Sequence, residues 1–264
     1  MSEILSYTFV QYALIGAVLL AISCGVIGTL IVVNRIVFLS GSIAHATYGG
    51  IGIAFFFGFS PLLGAGVFGV AAAILTAFIT LRNRHRADTL IGAIWAIGMA
   101  IGVLFLDFAP AFSGELMTYL FGSMVAISRA DLLAFFMIDL IAVLFAAIFY
   151  RKLLALAFDA DFARVKGVKV APLWIALLVL ASLSIVVAIR VVGLMMVLAL
   201  LTIPVWIAEK FARTLAETFV LSGIFALVFA VVGFFISYYF NVTAGAAIVL
   251  FAALASLLAA IKKN

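Results

Sequence analysis

Three ionisable side chains fall where ionisable side chains are costly. His45 lies near the middle of one long apolar run, Asp139 near the middle of another, and Asp107 at the end of a third. A carboxylate at mid-bilayer depth costs about 2.5–3.5 kcal/mol on insertion scales, so it faces a bundle interior or a wet cavity and needs a partner. An imidazole nitrogen with carboxylate oxygens suits a borderline divalent cation: Zn²⁺ accepts both, and Mn²⁺ favours an oxygen-rich shell. Met195, Met196 and Cys24 add soft donors, although methionine in an apolar helix is ordinarily filler. Each has a plain structural alternative. His45 can be a packing or capping histidine satisfied by a serine or carbonyl, Asp139 can tie two helices together, and Asp107 can sit in the headgroup zone. His85, among arginines, reads as a loop residue.

The elements that carry these residues follow from composition. Of 264 residues, 69% are hydrophobic and 9% charged, against about 25% charged in a soluble domain. The apolar runs approach the roughly 20 residues that cross a bilayer. They are unbroken rather than alternating, which selects helices over a β-barrel. The expected fold is an all-α integral membrane protein, a polytopic bundle of about eight or nine transmembrane helices. Spans are expected at 8–33, 37–57, 61–81, 88–107, 131–150, 172–189, 191–208, 216–240 and 243–261. The stretch 110–127 is apolar but short, with Pro110, Gly114, Glu115 and Gly122, and reads as re-entrant or interfacial. The start, Met-Ser-Glu, lacks a basic region, so 8–33 reads as a retained helix.

Of the 15 basic residues, all but Arg129 and Arg190 fall on one side of these spans. That asymmetry places the C-terminus in the cytoplasm and the N-terminus outside. It also explains the net charge of +5 as a topology signal rather than a nucleic-acid surface. Cys24 is the only cysteine, which excludes an internal disulfide and a cysteine-rich metal site. No phosphate-binding glycine loop is present, so any ATP hydrolysis belongs to another subunit. With no nucleophile constellation either, the chain reads as a non-enzyme.

Glycines are placed for close helix packing, with Gly98 and Gly102 spaced as G-x-x-x-G. Gly41, Gly49 and Gly50 around His45 have a second use, breaking the helix near a substrate path. Between the fifth and sixth spans, Phe158, Phe162 and Val165 recur at i, i+4 and i+7, the spacing of a short amphipathic helix. Asp159 and Asp161 suit its start, Arg164 falls near its end and Gly167 just past it. Such a face lies on lipid or enters a partner's groove.

Five segments in order resemble one family, the permeases of zinc, manganese and iron ABC importers, often called ABC-3. They are SGSIAHATYGGIG (40–52), DTLIGAIWAIGMAIGV (88–103), FDADFARVKGV (158–168), VVGLMMVLALLTIPVWIAEKFAR (191–213) and SYYFNVTAGAAIVL (237–250). The resemblance covers nearly the whole chain. It implies a single permease domain over residues 1–264, like those of type II ABC importers. His45 would line the metal path, and the 158–168 loop would dock on a cytoplasmic ABC ATPase. The expected partners are ATPase subunits, an extracytoplasmic metal-binding protein, a second permease copy and the lipid bilayer, with no nucleic acid. No cofactor is held permanently, and the transported Zn²⁺ or Mn²⁺ is cargo. In much of the family an aspartate precedes the histidine by four positions; here that position is Gly41. Asp139 and Asp107 are the carboxylates left to stand in. Two alternatives remain open: a related ABC permease for cobalamin or iron chelates, and an ion-gradient-driven secondary transporter using Asp139 as a relay.

Overall fold

The computed structural model describes residues 7–82, 87–109, 114–194 and 196–261. His85, Met195, Pro110 and the basic residues Arg84, Arg86, Lys262 and Lys263 lie outside them. Among the described residues all regular structure is helical. The helices are α1 (Thr8–Val33), α2 (Val37–Phe57), α3 (Pro61–Arg82), α4 (Ala87–Asp107), α5 (Gly114–Phe121) and α6 (Arg129–Phe158). They continue as α7 (Ala160–Val165), α8 (Val170–Val192), α9 (Val197–Ala208), α10 (Leu215–Phe240) and α11 (Ala244–Ile261).

Seven of these are long and apolar enough to cross a bilayer: α1, α3, α4, α6, α8, α10 and α11. Helix α2 has the length, but Ser40–Gly52 makes its middle polar and glycine-rich, and most of it is buried by protein. Helix α9 is shorter than the expected span 191–208. Its 12 residues begin only at Val197 and rise about 18 Å. The missing part is the turn at Gly193, whose φ of +89° a side chain would resist. Arg190, just beyond the expected span 172–189, lies in the last turn of α8.

The chain divides into two compact units. The first comprises Met1–Val33, Gly114–Ile148 and Val187–Asn264. Here α1 packs against α10 through a π-helical turn at Cys24–Gly28. A Cβ on Gly25 would lie 2.7 Å from the Phe219 carbonyl oxygen, and one on Gly28 2.5 Å from that of Leu201. Only glycine lets the backbones come this near. A π turn shifts the hydrogen-bond ladder, and the Ser222 hydroxyl donates to the Gly25 carbonyl at 3.3 Å. Ser222 also meets Thr29 at 3.1 Å. In the same unit α5 and a short 3₁₀ turn at Met124–Ala126 lie against the α8–α9 turn. Leu194 N–H donates to the Tyr119 carbonyl at 3.0 Å, and Ser123 N–H to that of Arg190 at 3.3 Å. The expected re-entrant or interfacial piece is thus a strap, of which 110–113 is not described.

The second unit comprises Asn34–Ser113 and Phe149–Val186. Helix α2 is its centre, packed on α3 and α4. The Gly49–Gly50 pair does not break it: α2 is helical without interruption from Val37 to Phe57. The expected helix break at Gly41, Gly49 and Gly50 is therefore corrected: the helix is continuous through all three, and Gly49 and Gly50 serve close packing. Gly49 faces the Gly98 carbonyl on α4, and Gly50 faces Gly64 on α3. Gly41 is buried inside the same continuous helix.

Candidate functional site

The site is built where α2 meets α4. A Cβ on Gly98 would stand 2.5 Å from the Ala46 Cα, and Gly102 abuts Tyr48 and Gly52. These contacts draw the two backbones together and bring the rings one position before Ala46 and three before Gly98 into register. The His45 imidazole and the Trp95 indole stack with centroids 4.3 Å apart and planes 9° apart. Phe38 closes on the indole at 6.3 Å. Both stacked rings are half-buried.

Among the described residues, three polar atoms along this part of α2 lack partners. His45 Nδ1 and the hydroxyls of Ser40 and Ser42 are buried with no hydrogen bond. A buried polar group left unsatisfied costs about 1–3 kcal/mol. The three do not share one face: Ser40 lies about 200° around the helix from Ser42 and so faces elsewhere. Ser42 precedes His45 by three positions and shares its helix face, so it offers an oxygen donor that the sequence reading overlooked.

Asp107 does not join His45. It is exposed at the end of α4, 12 residues beyond Trp95 and so about 18 Å further along the axis. Asp139 belongs to the other unit. It is 2% exposed, and neither carboxylate oxygen has a hydrogen-bond partner of normal geometry. Ser23, its hydroxyl likewise unpartnered, and Cys24 at the start of the π turn are its neighbours. Among the described residues no three of His, Cys, Asp and Glu gather into a closed metal centre.

The short amphipathic element is α7. Asp159 caps it, accepting from Asp161 N–H at 2.8 Å and Phe162 N–H at 3.2 Å. Arg164 pairs with Asp161 at 2.6 Å. Gly167 ends it with φ +79°, its N–H donating to Arg164 O at 2.9 Å while Val168 N–H reaches Ala163 O at 3.0 Å, a left-handed helix stop. Ala163 anchors it, fully buried, while Phe158, Phe162 and Val165 stand 84%, 53% and 85% exposed. Phe158 is the last residue of α6 rather than part of α7. Beside α7 lies a cleft of ≈ 300 Å³ lined by Arg35, Thr80, Ala160 and Trp174 among others.

The family model of the ABC 3 transport family matches residues 6–263. The chain belongs to the ABC 3 transport family. Among its relatives, a membrane protein of Synechocystis is 38% identical over 98% of this chain and 92% of its own length. The manganese transport system membrane protein MntC of Listeria monocytogenes is 34% identical over 94% of this chain and 89% of its own. The solved structure of PsaBC from Streptococcus pneumoniae in complex with Fab superposes with a TM-score of 0.87 at 32% identity, covering 98% of this chain and 93% of that one. As an ABC 3 transport family protein the chain is a polytopic membrane permease. Trp95 and Ser42 are the residues at its site that sequence patterns did not single out.

Proposed function

We propose that this chain is the permease subunit of an ATP-driven importer of divalent transition-metal ions, manganese first and zinc second. The observation that carries this is the likeness, over nearly the full length of both chains, to a manganese transport system membrane protein. The site supports it. His45 supplies the nitrogen donor on the ion's path, and the Ser42 hydroxyl on the same helix face supplies an oxygen, a ligand type that suits Mn²⁺. Asp139, with Ser23 and Cys24, offers a second donor set, and Asp107 attracts cations at the far end of α4.

The N-terminus lies outside and the C-terminus in the cytoplasm. That orientation sets the exposed apolar residues Phe158, Phe162 and Val165 before a cytoplasmic ATPase, which performs the hydrolysis. Two permeases and two ATPases form one transporter, and ATP-driven movement of α7 switches the path between its outward and inward openings. A binding protein delivers the ion outside, near the strap and the α10–α11 turn. There a cleft of ≈ 420 Å³ is lined by Ser123, Ser237, Tyr238, Asn241 and Thr243.

The test is uptake of radiolabelled Mn²⁺ and Zn²⁺ into proteoliposomes holding the permease, its ATPase and its binding protein. ATP-dependent Mn²⁺ uptake that His45→Ala abolishes supports both class and site. Uptake driven by an ion gradient without ATP would instead establish a secondary transporter. ATP-dependent uptake of a metal chelate or cobalamin, but not of the bare ion, would move the chain to the large-substrate permeases.

A further inference from the structure

Resting on the metal-permease function above, we propose that Trp95 is a positioning residue for His45: its indole fixes the plane of the imidazole and presents the free ring nitrogen to the passing ion. A histidine that ligates a metal ordinarily has its other ring nitrogen tied to a carboxylate or carbonyl, which sets tautomer and orientation. Among the described residues His45 shows no such tie at Nδ1. Nδ1 is enclosed and unpartnered, so Nε2 is the nitrogen available to a ligand arriving from the accessible side. The directional contact of the ring is the face-to-face stack with Trp95, 4.3 Å between centroids and 9° between planes.

The indole has a second aromatic neighbour on α2, two turns before His45. Phe38 lies against the indole, and the Gly98–Ala46 approach fixes the spacing of the backbones that carry the two rings. The indole adds a second effect. Its electron-rich face, next to the ligating imidazole, favours a cation in the same place. With glycine at position 41, the turn before His45 contributes no carboxylate to do either job.

An aromatic stack contributes enough that its loss should change ion affinity about two- to tenfold. The first experiment measures Mn²⁺ uptake by the assembled transporter in proteoliposomes with Trp95, Trp95→Phe or Trp95→Leu. Trp95→Phe keeps a stacking ring and is expected to hold KM within about twofold. Trp95→Leu keeps bulk without the stack and is expected to raise the KM for Mn²⁺ about three- to tenfold with little change in maximal rate. A packing role alone would lower the maximal rate, or the amount of folded protein, at unchanged KM.

The second experiment leaves Trp95 in place. In the full-length permease carrying Trp174→Phe and Trp206→Phe, Trp95 is the remaining tryptophan. Paramagnetic Mn²⁺ should quench its fluorescence, diamagnetic Zn²⁺ should reverse the quench by competition, and His45→Ala should abolish it. This reading survives even if Trp95→Leu fails to fold. An unchanged KM in folded Trp95→Leu, or no quench by saturating Mn²⁺, alongside intact ATP-dependent uptake, overturns the role of Trp95 and leaves the permease function standing. Absence of ATP-dependent metal uptake in the wild type overturns the permease function and this role with it.

Discussion

Asp131→Asn should destabilise the first unit far more than an exposed ion pair would predict. Asp131 opens α6 and Arg190 closes α8; they pair at 3.1 Å with side chains 13% and 19% exposed. At an effective dielectric of about 20 the attraction at that distance is about 5 kcal/mol. Much of it offsets the cost of taking both charges from water. Removing one partner exposes that hidden cost. Losing a partner from a fully buried pair costs about 3–5 kcal/mol; allowing for the residual exposure here, about 2–4 kcal/mol is expected. The substituted amide still offers Arg190 a neutral acceptor oxygen beside the Tyr119 ring, 4.7 Å from its guanidinium carbon, but no compensating charge, and the Arg190 Nε is already unpartnered. Arg190→Gln should cost a similar amount. The double variant leaves no orphaned charge, so its cost should fall short of the sum by about 2 kcal/mol. Unfolding in an SDS titration, followed by circular dichroism, measures all three. Additive costs, or an Asp131→Asn change under about 0.5 kcal/mol, would refute the reasoning.

Gly98→Val places a side chain where a Cβ is already 2.5 Å from the Ala46 Cα; overpacking of about 1–3 kcal/mol should part α2 from α4 and cut Mn²⁺ uptake, and wild-type uptake from a folded variant would contradict the packing described. Phe162→Asp with Val165→Asp, both on the exposed face of α7, should leave the thermal stability of the permease unchanged while abolishing co-purification with the ATPase and ATP-driven uptake. Asp139→Asn keeps shape and removes the charge of the second donor set; Mn²⁺ uptake should fall about tenfold or more, the loss of one charged contact, and undiminished uptake would remove Asp139 from the ion's path.

The spans were readable because lipid tolerates little else. A helix exposed to hydrocarbon must be continuously apolar, and α1, α3, α4, α6, α10 and α11 announce themselves that way. Helix α7 was readable for a different reason: its start and stop signals, Asp159 and Gly167, act within a few residues of themselves. What escaped was non-local or ambiguous. The His45–Trp95 stack joins two helices and depends on a glycine three positions away. The Arg190–Asp131 pair spans 59 positions, and in the sequence Arg190 merely stood between the expected spans 172–189 and 191–208. Gly49 and Gly50 serve packing, yet the same residues in another helix would break it. Helix α9 was overestimated because hydropathy runs smoothly through Gly193, while the backbone turns there.

The brevity of α9 constrains how the protein is made. Twelve residues fall well short of the roughly 30 Å hydrocarbon core, so α9 cannot partition into lipid by itself as it leaves the ribosome. It must enter as a rider on its neighbours, and α10, which covers it, is synthesised later. The insertion machinery therefore has to shelter α9 until Leu215–Phe240 has emerged. Nascent chains halted before that point should remain crosslinkable to the translocon, and chains halted after it should be released.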